Sequence, residues 1–172
     1  TGGDASGTFN VSTASAFVAA AAGCKVAKHG NRSVSSKTGS ADVLEALGVK
    51  IDLEPAGVRR CIDQAGIGFF FAPRYHPAMK NVAAARKKIG TRTIFNLLGP
   101  LTNPATPLAQ VIGVYDEAKM PMLARVLKAL GSCHVFLVHG SDGLDEITLT
   151  GPTHMVELKG GAVRESSLDP RS

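Results

Sequence analysis

Tryptophan is absent, tyrosine occurs twice, and aromatic residues make up only 5% of the 172-residue chain. Proteins that track single-stranded nucleic acid stack bases on aromatic side chains, so that partner class is disfavoured. Cysteine is also scarce. Cys24, Cys61 and Cys133 lie far apart with no CxxC pair, which argues against a disulfide framework and a zinc site and fits a reduced, cytoplasmic setting. The longest apolar run, from Ala16 to Gly23, falls well short of the roughly 20 residues that cross a bilayer. No basic segment precedes it as in a signal peptide, and no membrane partner is expected.

Acidic residues are missing from two long windows. Between Ala5 and Ala41 the chain carries Lys25, Lys28, Arg32 and Lys37 but no acid, and between Gln64 and Tyr115 it carries Arg74, Lys80, Arg86, Lys87, Lys88 and Arg92 and again no acid. Lys87-Lys88 alone reads as a solvated face. Two such windows, in a chain of net charge +5 with 19 glycines, point instead to an anionic ligand approached closely by backbone. With aromatics so few, a small phosphorylated molecule suits the charge better than nucleic acid. The length fits one domain, and 44% hydrophobic residues supply its core.

Helical and extended segments alternate. Helices are expected from Ser12 to Gly23, from Ser40 to Leu47, from Glu54 to Gln64, from Pro77 to Ile89 and from Glu117 to Leu130, with glycine following several of them. Strands are expected in CKVAKHG, GFFFA, AQVIGVY and HVFLVHG, and the tail, with ITLT and HMVEL around Gly151-Pro152, reads as a hairpin or two short strands. This rhythm predicts an α/β fold with helices on the faces of a sheet and ligands beyond the carboxyl ends of its strands. In the helix from Pro77 to Ile89, Arg86 falls at helical spacing from Met79, Val82, Ala83 and Ile89. It is therefore expected on an inward face, where it needs a carboxylate from the protein or from a ligand.

Two loops carry the candidate chemistry. TGGDASGTFNVST leads into a helix, and its glycines and the helix dipole suit phosphate, although it matches neither a Walker A loop nor a GxGxxG fingerprint. KHGNRSVSSKTGSAD places lysine, histidine, asparagine and arginine directly after a strand and follows them with hydroxyls. Such a loop is rich in donors for an anion and poor in anything a core could use. SDGLDE, from Ser141 to Glu146, reads either as a solvated turn or as a pair of hard-oxygen metal ligands.

TGGD with FNVST, KHGNRSVSSKTGSADVLEALG, APRYHPAMKNVAAARKKIGTRTIFNLLGPLTNPA and VHGSDGLDEIT, in this order, resemble the anthranilate phosphoribosyltransferases of tryptophan biosynthesis. KHGNRS alone leaves room for the related pyrimidine nucleoside phosphorylases; RTIFNLLGPLTNP and DGLDE make the resemblance specific. It implies a mainly parallel central sheet flanked by helices, like that of the nucleoside phosphorylases and phosphoribosyltransferases. It also implies transfer of phosphoribosyl from PRPP to the anthranilate amine, with release of pyrophosphate. Residues 1–172 would be most of the large α/β domain. The N-terminal helical domain, through which the family forms homodimers, and the C-terminal remainder would be missing, so this piece alone is expected to be inactive and compatible with a monomer.

By the same resemblance, Gly3, Asp4, Thr8, Asn10, Val11, Ser12 and Thr13 would bind PRPP, with Lys28, His29, Gly30, Asn31, Arg32, Ser33, Val34, Ser35 and Ser36 as the second wall and Ser40 beside them. Anthranilate would meet Asn31 and Arg86, with His29, Pro73, His76, Gly99 and Pro100 along its path. Ser12, Asp145 and Glu146 would hold Mg2+. No catalytic base is demanded by a neutral aromatic amine. His29 is the candidate to accept the late proton if a side chain does so, and His76 is either a neighbour of the helix start or a substrate contact. A catalytically silent, nucleic-acid-binding relative is the contrasting expectation, and the intact DGLDE and Arg86 disfavour it.

Overall fold

The computed structural model describes residues 9–33, 39–91 and 93–171. The chain divides into two compact units, one spanning Gly7–Ala105 and the other built mainly on Thr106–Ser172.

In the first unit, α1 (Val11–Ala21) leads to β1 (Val26–Gly30), α2 (Ser40–Ala46), α3 (Pro55–Ala65), β2 (Ile67–Phe71), α4 (Ala72–Tyr75), α5 (Lys80–Ile89) and α6 (Phe95–Leu98), with 3-10 turns at Pro77–Met79 and Gly99–Leu101. β1 and β2 pair in parallel, from Val26 opposite Ile67 to Gly30 opposite Phe71. α3 returns the chain between them: Pro55 opens its first turn, and Gly66 closes it at φ 78° in the left-handed region. Its close packing on β2 requires Gly68, where a Cβ would stand 2.6 Å from Ile62 Cγ1 and 2.9 Å from the Val58 carbonyl oxygen. Phe69 and Phe71 share one face of β2 and join Ala41, Leu44 and Ile51 in a buried cluster. Truncating a phenylalanine in such a cluster typically costs about 3–5 kcal/mol.

α5 departs from expectation. It closes at Gly90, φ 68°, as its sequence indicates, and Met79, Val82 and Arg86 are half-buried, but Ala83 is exposed and Ile89 is 56% exposed. The inward face is only a partial stripe. KNVAAARKKI offers too few large apolar side chains to hold a whole helix face against a core.

The second unit comprises β3 (Ala109–Gly113), α7 (Met120–Ala129), β4 (His134–Gly140), β5 (Thr153–Lys159) and β6 (Ala162–Leu168), in sheet order β3-β4-β5-β6. β3 and β4 are parallel, whereas β4–β5 and β5–β6 are antiparallel. Met120, Leu123, Ala124 and Leu127, at helical spacing on α7, are no more than 1% exposed, and the sheet supplies Val135, Leu137, Val156 and Leu158, each fully buried. α7 lies against β4 and β5. β6 is exposed throughout, and its Arg164, Glu165, Ser166 and Ser167 are polar residues suited to a sheet edge.

The tail corrects the sequence expectation. Residues 147–150, the ITLT segment, carry no strand. The hydroxyls of Thr148 and Thr150 both donate to the Asp142 carboxylate, a local bonding pattern that competes with a strand ladder and overrides the β-propensity of threonine. The hairpin is β5–β6 instead. It turns at Gly160-Gly161, where φ is 55° and 81°, positive at both central residues as a type I′ turn requires. Among the described residues, no helix is long and apolar enough to cross a membrane.

Candidate functional site at the carboxyl ends of β1 and β2

Parallel pairing delivers the ends of β1 and β2 to one edge, the usual location of ligand sites in such sheets. At the start of α1, Asn10 caps the helix by accepting from the Thr13 amide through Oδ1 at 3.0 Å. Ser12 stands exposed on the first turn, and Lys28 Nζ, from β1, donates to its Oγ at 2.8 Å. The two loops expected to share a ligand therefore meet at named atoms. Thr13, 2% exposed, has an Oγ1 without a hydrogen-bond partner among the described residues.

β1 ends at Gly30, where a Cβ would lie 2.9 Å from the Phe69 ring and 3.2 Å from Ser40 Cβ. Glycine is thus what lets the strand end beside α2. Asn31 Oδ1 accepts from the Arg32 amide at 2.8 Å, and the Asn31 carbonyl accepts from the Ala41 amide at 3.3 Å. Asp42 closes the loop by accepting from the Ser33 and Gly39 amides, each at 2.9 Å. The Ser33 amide above all, opposed by partial burial, holds its carboxyl below the usual range. Arg32, expected from the sequence to be a phosphate ligand, forms a two-point pair with Glu45 on α2, Nε to Oε2 at 3.1 Å and Nη2 to Oε1 at 2.6 Å, and lies 5.0 Å from the Phe71 ring centroid.

Of the residues expected along the anthranilate path, His29, His76 and Gly99 come together. His29 Nδ1 lies 3.1 Å from the Gly99 carbonyl, and His76 Nε2 lies 3.1 Å from His29 Nε2. A carbonyl only accepts, so neutral His29 carries its proton on Nδ1, its Nε2 accepts, and His76 donates from Nε2. Burial pushes His29 below its ordinary value of 6.5; the Gly99 bond opposes the shift and the neighbouring His76 adds to it. Both nitrogens of His29 are engaged, so it accepts a further proton only if His76 stops donating to it. Pro73 lies in α4, immediately after β2, and Pro100 in the 3-10 turn that follows α6. Asn103, which the sequence pattern did not single out, donates to the Ala27 carbonyl at 3.0 Å and accepts from the Ala105 amide at 3.0 Å, tying the loop after Pro100 to β1. Its signal was the Asn-Pro step, a frequent turn initiator. The signal at Asp42 was an acid in the first turn of a helix.

Arg86 has no carboxylate partner among the described residues, and its guanidinium sits 5.3 Å from the Phe95 ring centroid. In the second unit, Asp145 and Glu146 follow the carboxyl end of β4. Among the described residues no three metal-binding side chains converge. The donor chemistry of two adjacent carboxylates nevertheless fits Mg2+, which takes oxygen ligands and leaves positions to phosphate and water. Gly3, Asp4, Thr8, Val34, Ser35 and Ser36 lie outside the described residues.

The model of the glycosyl transferase family, a/b domain, matches residues 1–172. An anthranilate phosphoribosyltransferase of Chromobacterium violaceum is 61% identical over 170 residues, 99% of this chain and 50% of that protein. The anthranilate phosphoribosyltransferase structure from Thermus thermophilus superposes with TM-score 0.90 at 48% identity, covering 99% of this chain and 50% of its own. The Saccharomyces cerevisiae enzyme in complex with PRPP and Mg gives 0.87 at 34% identity, covering 99% and 47%. The chain spans about half the length of these relatives. With the family model matched along its whole length, the chain belongs to the glycosyl transferase family, in its a/b domain.

Proposed function

We propose that the protein is an anthranilate phosphoribosyltransferase acting in the cytoplasm on the tryptophan biosynthetic route. The observation that carries this reading is the meeting of α1 and β1 at Ser12 and Lys28, a hydroxyl and a cation placed together at a helix start, with a buried Thr13 hydroxyl one residue on that has no hydrogen-bond partner among the described residues. The yeast relative solved with PRPP and Mg supports it. In the reaction, the amine nitrogen bonds to the ribose C1 as the C1–O bond to pyrophosphate breaks. Pyrophosphate keeps the bonding pair, and the amine loses one proton.

Asn10, Val11, Ser12, Thr13, Lys28, Gly30, Asn31, Ser33 and Ser40 are assigned to PRPP, together with Gly3, Asp4, Thr8, Val34, Ser35 and Ser36. Arg32 would join them by exchanging Glu45 for phosphate. Arg86 holds the carboxylate of anthranilate through its planar fork, with Asn31, Pro73, Gly99 and Pro100 along the approach. The His29–His76 pair, kept neutral on the His29 side, orients the amine and presents no cation to repel the electron-poor ribose. No described residue bonds His76 Nδ1, which makes it the open proton acceptor of the pair. Asp145 and Glu146 would hold Mg2+, which when bound offsets the charge of the leaving pyrophosphate.

Fluorescence tests the reading. With PRPP and Mg2+, the whole gene product should consume anthranilate and quench its emission. Unchanged emission, alongside phosphate-dependent release of base from a pyrimidine nucleoside, would assign the related phosphorylase activity instead.

A further inference from the structure

The acidic loop contains a carboxylate with no part in the reaction as described. Asp142 precedes Asp145 by one turn of loop, and its side chain is filled with donors: Oδ2 accepts from Thr148 Oγ1 and from Thr150 Oγ1, the latter at 2.5 Å, and Oδ1 accepts from the Leu144 amide at 3.2 Å. Those hydroxyls, foremost that of Thr148, hold its carboxyl below the ordinary range. A carboxylate so engaged has little acceptor capacity left for a metal. Its contacts run inward to the fold. Thr148, 3% exposed, donates its amide to Thr153 Oγ1 on β5 at 3.0 Å. The Gly140 amide donates to the Leu144 carbonyl at 2.8 Å, and the Ser141 amide to the Pro152 carbonyl at 3.0 Å.

Two glycines make room for this clamp. At Gly140, a Cβ would stand 2.6 Å from Asp142 Oδ1 and 3.0 Å from Thr148 Cγ2; at Gly113, on the parallel neighbour β3, a Cβ would run into the Asp145 carbonyl oxygen. The backbone of Asp145 is thereby seated directly on a strand, and the loop before it is held by the Asp142 side chain together with the Gly140 and Ser141 amides.

We propose that Asp142 is a positioning residue: clamped by Thr148 and Thr150, its carboxylate fixes the loop that presents Asp145 and Glu146 to a phosphate-bound divalent cation. This rests on the metal role given to Asp145 and Glu146 above. Groups that orient metal ligands in this way usually change metal affinity about 10- to 100-fold when removed.

The test uses Mn2+ with inorganic pyrophosphate, read by the electron paramagnetic resonance of free Mn2+ on the whole gene product, with thermal melts to confirm folding. Asp145→Ala should abolish the pyrophosphate-dependent binding. Asp142→Ala and Thr148→Val should raise the Mn2+ Kd about 10- to 100-fold, and Thr148→Ser, which keeps the hydroxyl, should restore it. If Asp142→Ala does not fold, Thr150→Val, at an exposed position, carries the test through the same carboxylate. A Kd within about twofold of the parent in folded Asp142→Ala or Thr150→Val, with Asp145→Ala still defective, overturns the positioning role alone. Unchanged binding in Asp145→Ala overturns the metal reading and the positioning role together.

Discussion

The Nε2 atoms of His29 and His76 face each other at 3.1 Å, so one imidazole must donate and the other accept. The Gly99 carbonyl on the far side of His29 decides which. A backbone oxygen from the 3-10 turn after α6 thus sets the tautomers of two side chains, one near the end of β1 and one just after α4.

The pair predicts a pH dependence. His29 is pushed below 6.5, first by burial and then by His76, so protons bind the unfolded chain more readily than the folded one. Its contribution to stability is complete above about pH 6.5 and is lost as pH falls through the lower, folded value. The Cε1 proton of His29 should titrate below 6.5 by NMR. His76→Gln should raise that midpoint while leaving it below 6.5, because burial is the larger cause; a midpoint above 6.5 in the parent contradicts the arrangement.

Arg86 lies over Phe95 without a protein carboxylate among the described residues. Arg86→Ala in the whole gene product should raise the KM for anthranilate about 10- to 100-fold, the scale of a lost charged hydrogen bond, and change the KM for PRPP by less than about threefold. Equal effects on both constants would remove Arg86 from the anthranilate site.

Gly30→Ala adds a methyl group where the Phe69 ring and Ser40 already crowd the strand end. Overpacking of this kind costs about 1–3 kcal/mol, which a urea titration would show as a lower midpoint with an unchanged slope. An unchanged midpoint would mean that β1 and α2 are looser than the structure has them.

Much of this was legible in the sequence because the local signals agreed with the tertiary outcome. The five expected helices and the strands around Val26, Phe70, Ile112 and Leu137 are present, bounded by glycines such as Gly66 and Gly90 in left-handed conformation. ITLT was misread because alternation of threonine with apolar residues is the same pattern whether its hydroxyls face solvent or converge on Asp142. The Arg32–Glu45 pair and the Asn103–Ala27 bond join residues that no periodicity connects. The polar loop KHGNRS announced its chemistry, but which of its side chains were already engaged with the protein became visible only in three dimensions.

The β5–β6 turn offers a local check. Gly161→Ala should cost about 1–2 kcal/mol, the penalty for an L-residue in the left-handed region, whereas Gly160→Asn should be close to neutral, since asparagine followed by glycine is a favoured type I′ pair. Equal destabilisation by the two variants in thermal melts would contradict the turn.

Phosphorus-31 NMR of the whole gene product with PRPP and Mg2+ tests the assigned reaction most directly. On adding anthranilate, PRPP resonances should give way to pyrophosphate and a new phosphomonoester, one pyrophosphate for each anthranilate consumed. Pyrophosphate appearing at the same rate without anthranilate, or PRPP persisting unchanged with it, would contradict phosphoribosyl transfer to the amine.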